Sequence, residues 1–149
     1  MKKIMLLLAL GVFTFSANAQ KMKESDVSPY IKNSFAKLYP TAKVDSWEKE
    51  GNNYEAEFKN AGVETSVLLG PNGQLMETEV EIKASELPAA VATYVSKNVA
   101  GKKIKEASKI TDAKGVVTYE AEVDEADYIF DATGNFIKKE VEAADGDKK

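Results

Sequence analysis

The sequence predicts an α+β protein of two tandem repeats, each one helix followed by a four-stranded antiparallel sheet packed on it. Three observations lead there. Short segments recur in the same order at nearly constant spacing. Ser25-Asp26-Val27 returns as Ser85-Glu86-Leu87 after 60 residues, and Tyr54-Glu55-Ala56-Glu57-Phe58 returns as Tyr119-Glu120-Ala121-Glu122-Val123 after 65. Gly73-Gln74-Leu75-Met76 and Glu79-Val80-Glu81 return as Gly134-Asn135-Phe136-Ile137 and Glu140-Val141-Glu142, both after 61. Each repeat also opens on an apolar stripe at helical spacing. It then continues in short runs of period two, separated by Gly, Asn and Asp.

Met1-Lys2-Lys3, the apolar run Ile4 to Phe15 and the Ala17-Asn18-Ala19 site are the parts of a secretory signal peptide. Twelve apolar residues at helical rise cover roughly 18 Å, too little for a bilayer core. Cleavage is expected after Ala19, with a periplasmic or secreted product of bacterial type and no membrane insertion after cleavage. Taking 19 residues from 149 leaves 130, with 18 lysines against 24 acids and a net charge of −6.

The first repeat, residues 20–83, begins with Val27, Ile31, Phe35 and Leu38 on one helix face. Ser25 or Asp26 can cap it, Pro29 falls in its first turn, and Tyr39-Pro40 ends it. Four strands are expected to follow. Lys43–Lys49 is the first, and Tyr54–Phe58 alternates Tyr54, Ala56 and Phe58 with Glu55 and Glu57. Asn60-Ala61-Gly62 then turns the chain into Val63–Leu69. Gly70-Pro71-Asn72-Gly73 is a hairpin signal, because Asn-Gly tolerates positive φ and Pro presets the turn. Beyond it, Met76, Thr78, Val80 and Ile82 are expected to face inward, with Glu77, Glu79 and Glu81 toward water.

The second repeat, residues 84–142, has Leu87, Val91, Val95 and Val99 as its helix stripe, with Ser85 as cap, Pro88 in the first turn and Gly101 as stop. Its strands are Ile104–Ile110, Thr118–Val123, Tyr128–Phe130 and Phe136–Val141, with turns at Asp112–Gly115 and Ala132–Gly134. Residues 143–149 form a polar tail. A unit of this size is marginal alone, so the two are expected to pack together.

Composition excludes several chemistries. The chain has no Cys, His or Arg, so all 20 basic residues are lysines. Thiol nucleophiles, Ser–His dyads, disulfides, ordinary zinc sites and guanidinium clamps are therefore absent. An acidic product repels nucleic acid, which is not an expected partner. Ser34-Phe35-Ala36-Lys37 fits the S-x-x-K pattern by letters only, on a packed helix. A Glu pair for glycoside hydrolysis needs one acid in an apolar cleft, whereas these acids are predicted on a flat wet sheet. No catalytic residue, cofactor or resident metal is expected, and the protein is not an enzyme.

Three sets of residues could carry binding. The first is the glutamate ladder: Glu55, Glu57, Glu64, Glu77, Glu79 and Glu81, with Glu120, Glu122, Glu140 and Glu142. It reads either as a docking face for a basic partner or Ca²⁺, or as a solvated face interleaved with Lys59, Lys138 and Lys139. No D-x-[DN]-x-[DN]-G calcium loop occurs. The second is Trp47, the single tryptophan. Strict alternation from Val44 puts it on the wet face, where it would be a contact residue, unless a bulge returns it to the core. The matching position in the second repeat is Ala107. The third is the tyrosine set. Tyr54 and Tyr119 sit on dry faces, while Tyr30 and Tyr94 flank the helix stripes.

The chain resembles the PepSY-like family, the β-lactamase-inhibitor-like proteins. The match is carried by Ser85-Glu86-Leu87-Pro88-Ala89-Ala90-Val91, Trp47, the two Tyr-Glu-Ala-Glu strands, Gly70-Pro71-Asn72-Gly73 and Ala132-Thr133-Gly134, and it runs from Ser25 to Glu142. The resemblance implies a non-enzymatic exported protein, built of tandem helix-plus-sheet repeats, that binds another envelope or secreted protein as inhibitor or regulator. In one respect the chain departs from the inhibitor fold. That fold presents aromatics on a concave sheet face, whereas here the aromatics fall on the dry face and the wet face is mostly Glu. The reading from another class is an acidic ion-binding or ligand-sensing module using the Glu-rich sheet face.

Overall fold

The computed structural model describes residues 20–99 and 101–141. The predicted leader, its cleavage site, Glu142 and the tail at 143–149 lie outside the described residues. The chain divides into two compact units between Val80 and Glu81.

The first unit begins with β1 (Gln20–Met22), a short 3-10 turn at Glu24–Asp26 and α1 (Pro29–Leu38). Strands β2 (Val44–Glu50), β3 (Asn53–Asn60), β4 (Val63–Leu69) and β5 (Leu75–Ile82) follow, each antiparallel to the one before. The second unit has a 3-10 turn at Ala84–Glu86, then α2 (Ala89–Asn98), β6 (Glu106–Asp112), β7 (Val117–Glu122), β8 (Ala126–Asp131) and β9 (Phe136–Val141). The α+β class stands. The described strands number nine rather than two sets of four, because β1 adds a strand beside β2 in the first unit. Three residues carry no readable period, so β1 has no sequence signal.

Helix starts differ from expectation by half a turn or more. Ser28, not Ser25 or Asp26, caps α1, its hydroxyl accepting from Ile31 N–H at 3.3 Å. Ser25 and Asp26 sit in the preceding 3-10 turn. Ser85 likewise lies in a 3-10 turn, where the Glu86 carboxylate accepts from Lys83 N–H, and Pro88 stands at the N-cap of α2. The 3-10 turns absorb the residues that resemble caps. Val27, Ile31 and Phe35 are buried as the stripe requires, but Leu38, in the last turn, is 43% exposed.

The cores differ in where their aromatics stand. In the first unit Phe35, Tyr39, Trp47 and Phe58 pack together, with the Phe35 and Phe58 rings edge to face at 4.9 Å. In the second, Tyr94 stacks on Phe136 at 4.6 Å and meets Phe130 edge to face at 5.5 Å.

Three hairpins use one device. Gly73, Gly115 and Gly134 have φ of +70°, +82° and +88°, and each donates its N–H to the carbonyl three residues back. This is a type I turn closed by a left-handed glycine. Asn72 is not in the left-handed region, so the Asn-Gly pair works through its glycine alone. In the third hairpin the Asp131 carboxylate accepts from Thr133 Oγ1 at 2.7 Å and from the Thr133 and Asn135 N–H groups. These donors hold its carboxyl well below the usual carboxylate range.

The β7–β8 turn has no glycine. Asp124 and Glu125 both have positive φ, 54° and 65°. Left-handed backbone costs an L-residue roughly 1–2 kcal/mol. Asp124 is held by Lys102 at 2.9 Å, whereas Glu125 is not tied in this way. Glu125→Gly is therefore expected to raise stability by about 0.5–1 kcal/mol, read as a higher urea midpoint.

Candidate functional site: the acid rows of the sheet

Register places the predicted ladder in rows across the strands of each unit, on the side away from the helix. In the first unit one row is Glu48, Glu55, Leu68, Glu77, and the next is Ser46, Glu57, Ser66, Glu79. In the second unit the rows are Ser108, Glu120, Ile129, Lys138 and Glu106, Glu122, Asp127, Glu140. The sequence therefore named the correct face and brought together Glu55, Glu57, Glu77 and Glu79, and likewise Glu120 and Glu122. It missed Glu48, Glu50 and Asp127. Glu48 and Glu50 alternate with Lys49 along β2, a signal that was present but obscured by the bulge before them.

The expected exposure is overturned. Glu55 and Glu79 are 0% exposed, and Glu48, Glu50, Glu77, Glu120 and Asp127 are also buried. Period-two alternation tells which side of a sheet a residue takes, but not whether that side meets water. Glu57 and Glu122, equivalent positions in the two copies, remain partly exposed. The Ser46 hydroxyl donates to Glu57, and Lys105 lies 3.6 Å from Glu122. The interleaved lysines are real. Lys59 pairs with Glu64 and Lys138 with Glu140, each at 2.8 Å. Lys139 instead lies on the helix side, over the Tyr128 ring.

Burial changes the acids. Desolvation, with the charge of Glu48 beside it, raises Glu50 to about 7. Desolvation raises Glu55 to about 9, helped by Glu50, Glu57 and Glu48, while the Ser66 hydroxyl alongside lowers it. Both Glu55 oxygens are buried without a hydrogen bond of normal geometry. Among the described residues no group of three or more acids converges closely enough to hold a metal ion.

Two register breaks decide which side chains face the helix. A bulge between Val44 and Ser46 turns Trp47 back under the helix, where it is 4% exposed and edge-on to Phe35. Trp47 thus takes the core alternative and has no surface to present. A second bulge follows the Gly73 hairpin and recurs after the Gly134 hairpin. Leu75 and Glu77 pair with Leu69 and Leu68, leaving Met76 extra, and Ile137 is extra in the same way. Thr78 and Val80 face the helix as expected, while Leu75 rather than Met76 packs on the core.

Two copies of one helix on an antiparallel sheet, each with acid rows on the opposite side, define a tandem-repeat α+β protein. The chain belongs to the family described as "Putative beta-lactamase-inhibitor-like, PepSY-like", which matches residues 14–77 and again 70–138. Solved structures share the fold. A DUF2874 family protein from Bacteroides uniformis ATCC 8492 is 21% identical, with a TM-score of 0.67 over 76% of this chain and 88% of that one. A "putative periplasmic" protein from Bacteroides eggerthii DSM 20697 is 18% identical, with the same TM-score and coverage. A BLIP-like protein from Bacteroides fragilis NCTC 9343 is 23% identical, with a TM-score of 0.62 over 82% and 91%. No curated protein matches the chain. Among the described residues no helix is long and apolar enough to cross a membrane.

Proposed function

We propose that this is a non-catalytic protein exported to the bacterial periplasm or beyond, and that it acts by binding an extended segment of another envelope or secreted protein along β9. The observation that carries this reading is the character of β9. It is last in the strand order among the described residues, and Ile137 and Val141 on it are 51% and 68% exposed. An outer strand offers main-chain donors and acceptors to a further strand, and exposed apolar side chains favour covering it. The leader-like residues 1–19 and the periplasmic description of one structural neighbour support the compartment. Regulation or inhibition of the partner is the role the family resemblance suggests.

The docking face expected on the glutamates narrows to Glu57 and Glu122, because Glu55, Glu77, Glu79 and Glu120 are buried. The test is a pull-down from envelope extract with residues 20–149, beside Ile137→Lys/Val141→Lys and Glu57→Gln/Glu122→Gln. The β9 variant is expected to lose a partner that the wild type and the Glu variant both retain. Loss by the Glu variant alone moves the site to the acid rows, and no capture by any of the three sinks direct docking. Millimolar Ca²⁺ is expected to leave the melting midpoint unchanged. A clear rise would favour the ion-binding alternative by mass action.

A further inference from the structure

The acid rows of the first unit contain a group whose chemistry the binding reading does not use. Glu55 stands directly opposite Glu48 on β2, with Glu50 two residues along that strand. On β4 its neighbours are the Ser66 hydroxyl and the apolar Leu68, with Glu64 near the end of the face. Glu77 and Glu79 follow on β5. On its own strand Glu57 lies on the same side. The cations of this face in the unit are Lys21 of β1, exposed and opposite Glu48, and Lys59, tied to Glu64. Glu48, Glu77 and Glu79 take part in further interactions of their own. Glu55 is fully buried in the middle of this grid, with both oxygens lacking a well-formed hydrogen bond.

The second unit occupies the same grid differently. Ser108 stands where the first has Glu48, and Lys138 where it has Glu77. The equivalent acid, Glu120, therefore sits in a row with a hydroxyl and an amine, while the acids Glu106, Glu122, Asp127 and Glu140 of the next row include two paired with Lys105 and Lys138.

We propose that Glu55 carries a proton at neutral pH, and that this proton makes the first unit a pH-responsive element of the protein. Two opposed carboxylates out of water cannot both ionise cheaply, so one keeps its proton. The folded state then holds a proton that the unfolded chain releases. Stability therefore falls as pH rises from the ordinary carboxylate range near 4.5, through about 7 where Glu50 ionises and about 9 where Glu55 does. The lost proton leaves like charges facing one another across β2 and β3.

The direct test is infrared difference spectroscopy of the folded protein in heavy water, reading the carboxylic-acid C=O band at about pH 8, above the value for Glu50 and below that for Glu55. The band is expected in the wild type and to lose most of its intensity in Glu55→Gln. Trp47 lies in the first unit only, so its fluorescence reports that unit. The urea midpoint read by Trp47 is expected to fall between pH 6 and 10 in the wild type and to flatten in Glu55→Gln. Should Glu55→Gln not fold, the wild-type band still decides, and Glu50→Gln is expected to reduce the pH slope. A folded wild type without the band, or equal slopes in wild type and Glu55→Gln, would overturn the proposal. So would Glu120→Gln flattening the response as fully as Glu55→Gln.

Discussion

Phe58→Ala is expected to lower the stability of the first unit by about 3–5 kcal/mol, the usual cost of emptying a buried aromatic site. Phe58 is fully buried at the middle of β3, paired with Val44 on one side and Thr65 on the other. Its ring meets Tyr39 at 4.5 Å and Phe35 at 4.9 Å, so truncation removes a contact from each. Neither neighbour can readily close the gap, because Phe35 is fixed on α1 and also holds Trp47. Phe58→Leu keeps most of the volume and is expected to cost less than half as much. Urea unfolding followed by Trp47 fluorescence checks both. Equal midpoints for wild type and Phe58→Ala would mean that this cluster does not organise the unit.

Gly134→Ala is expected to cost about 2–4 kcal/mol, far more than one methyl group suggests. At φ +88° the residue lies where an L side chain is strained. A Cβ added there would stand 2.9 Å from Pro88 Cβ and 3.0 Å from Ala90 Cβ, at the start of α2. Those atoms sit close to the backbone and cannot swing away, so either the hairpin or the helix must shift. Gly115 has the same backbone conformation and open space around its Cβ position. Gly115→Ala should therefore show the conformational cost alone, about 1 kcal/mol. The difference between the two midpoints measures the packing of the hairpin tip on the helix.

What could be read from the sequence follows from what periodicity encodes. The helix stripes Val27-Ile31-Phe35 and Leu87-Val91-Val95 were legible because a helix buries one face at a fixed angle. Strand β4 was legible to the residue because Gly-containing turns bound it on both sides, and the start of β9 because the Ala132–Gly134 turn precedes it. The 3-10 turns were not, since Ser25 and Ser85 satisfy the local pattern of a cap equally well. Of the candidate site, the side taken by Glu55, Glu57, Glu77 and Glu79 was legible, but their burial was not. Burial depends on what lies over a face, and no local pattern reports that. Glu48 and Trp47 were masked by the bulge at Asp45, which inverts the parity of the residues after it.

The extra residue after the Gly73 and Gly134 hairpins also bears on the history of the chain. Met76 and Ile137 are different apolar residues, and the rows beyond them have diverged to Glu77 in one copy and Lys138 in the other. The interruption itself is kept at the same place in both. An irregularity inherited twice is most simply older than the doubling that produced the two halves. The ancestral single unit already had this kink in its last strand, and the charges now distinguishing the halves were written over it afterwards.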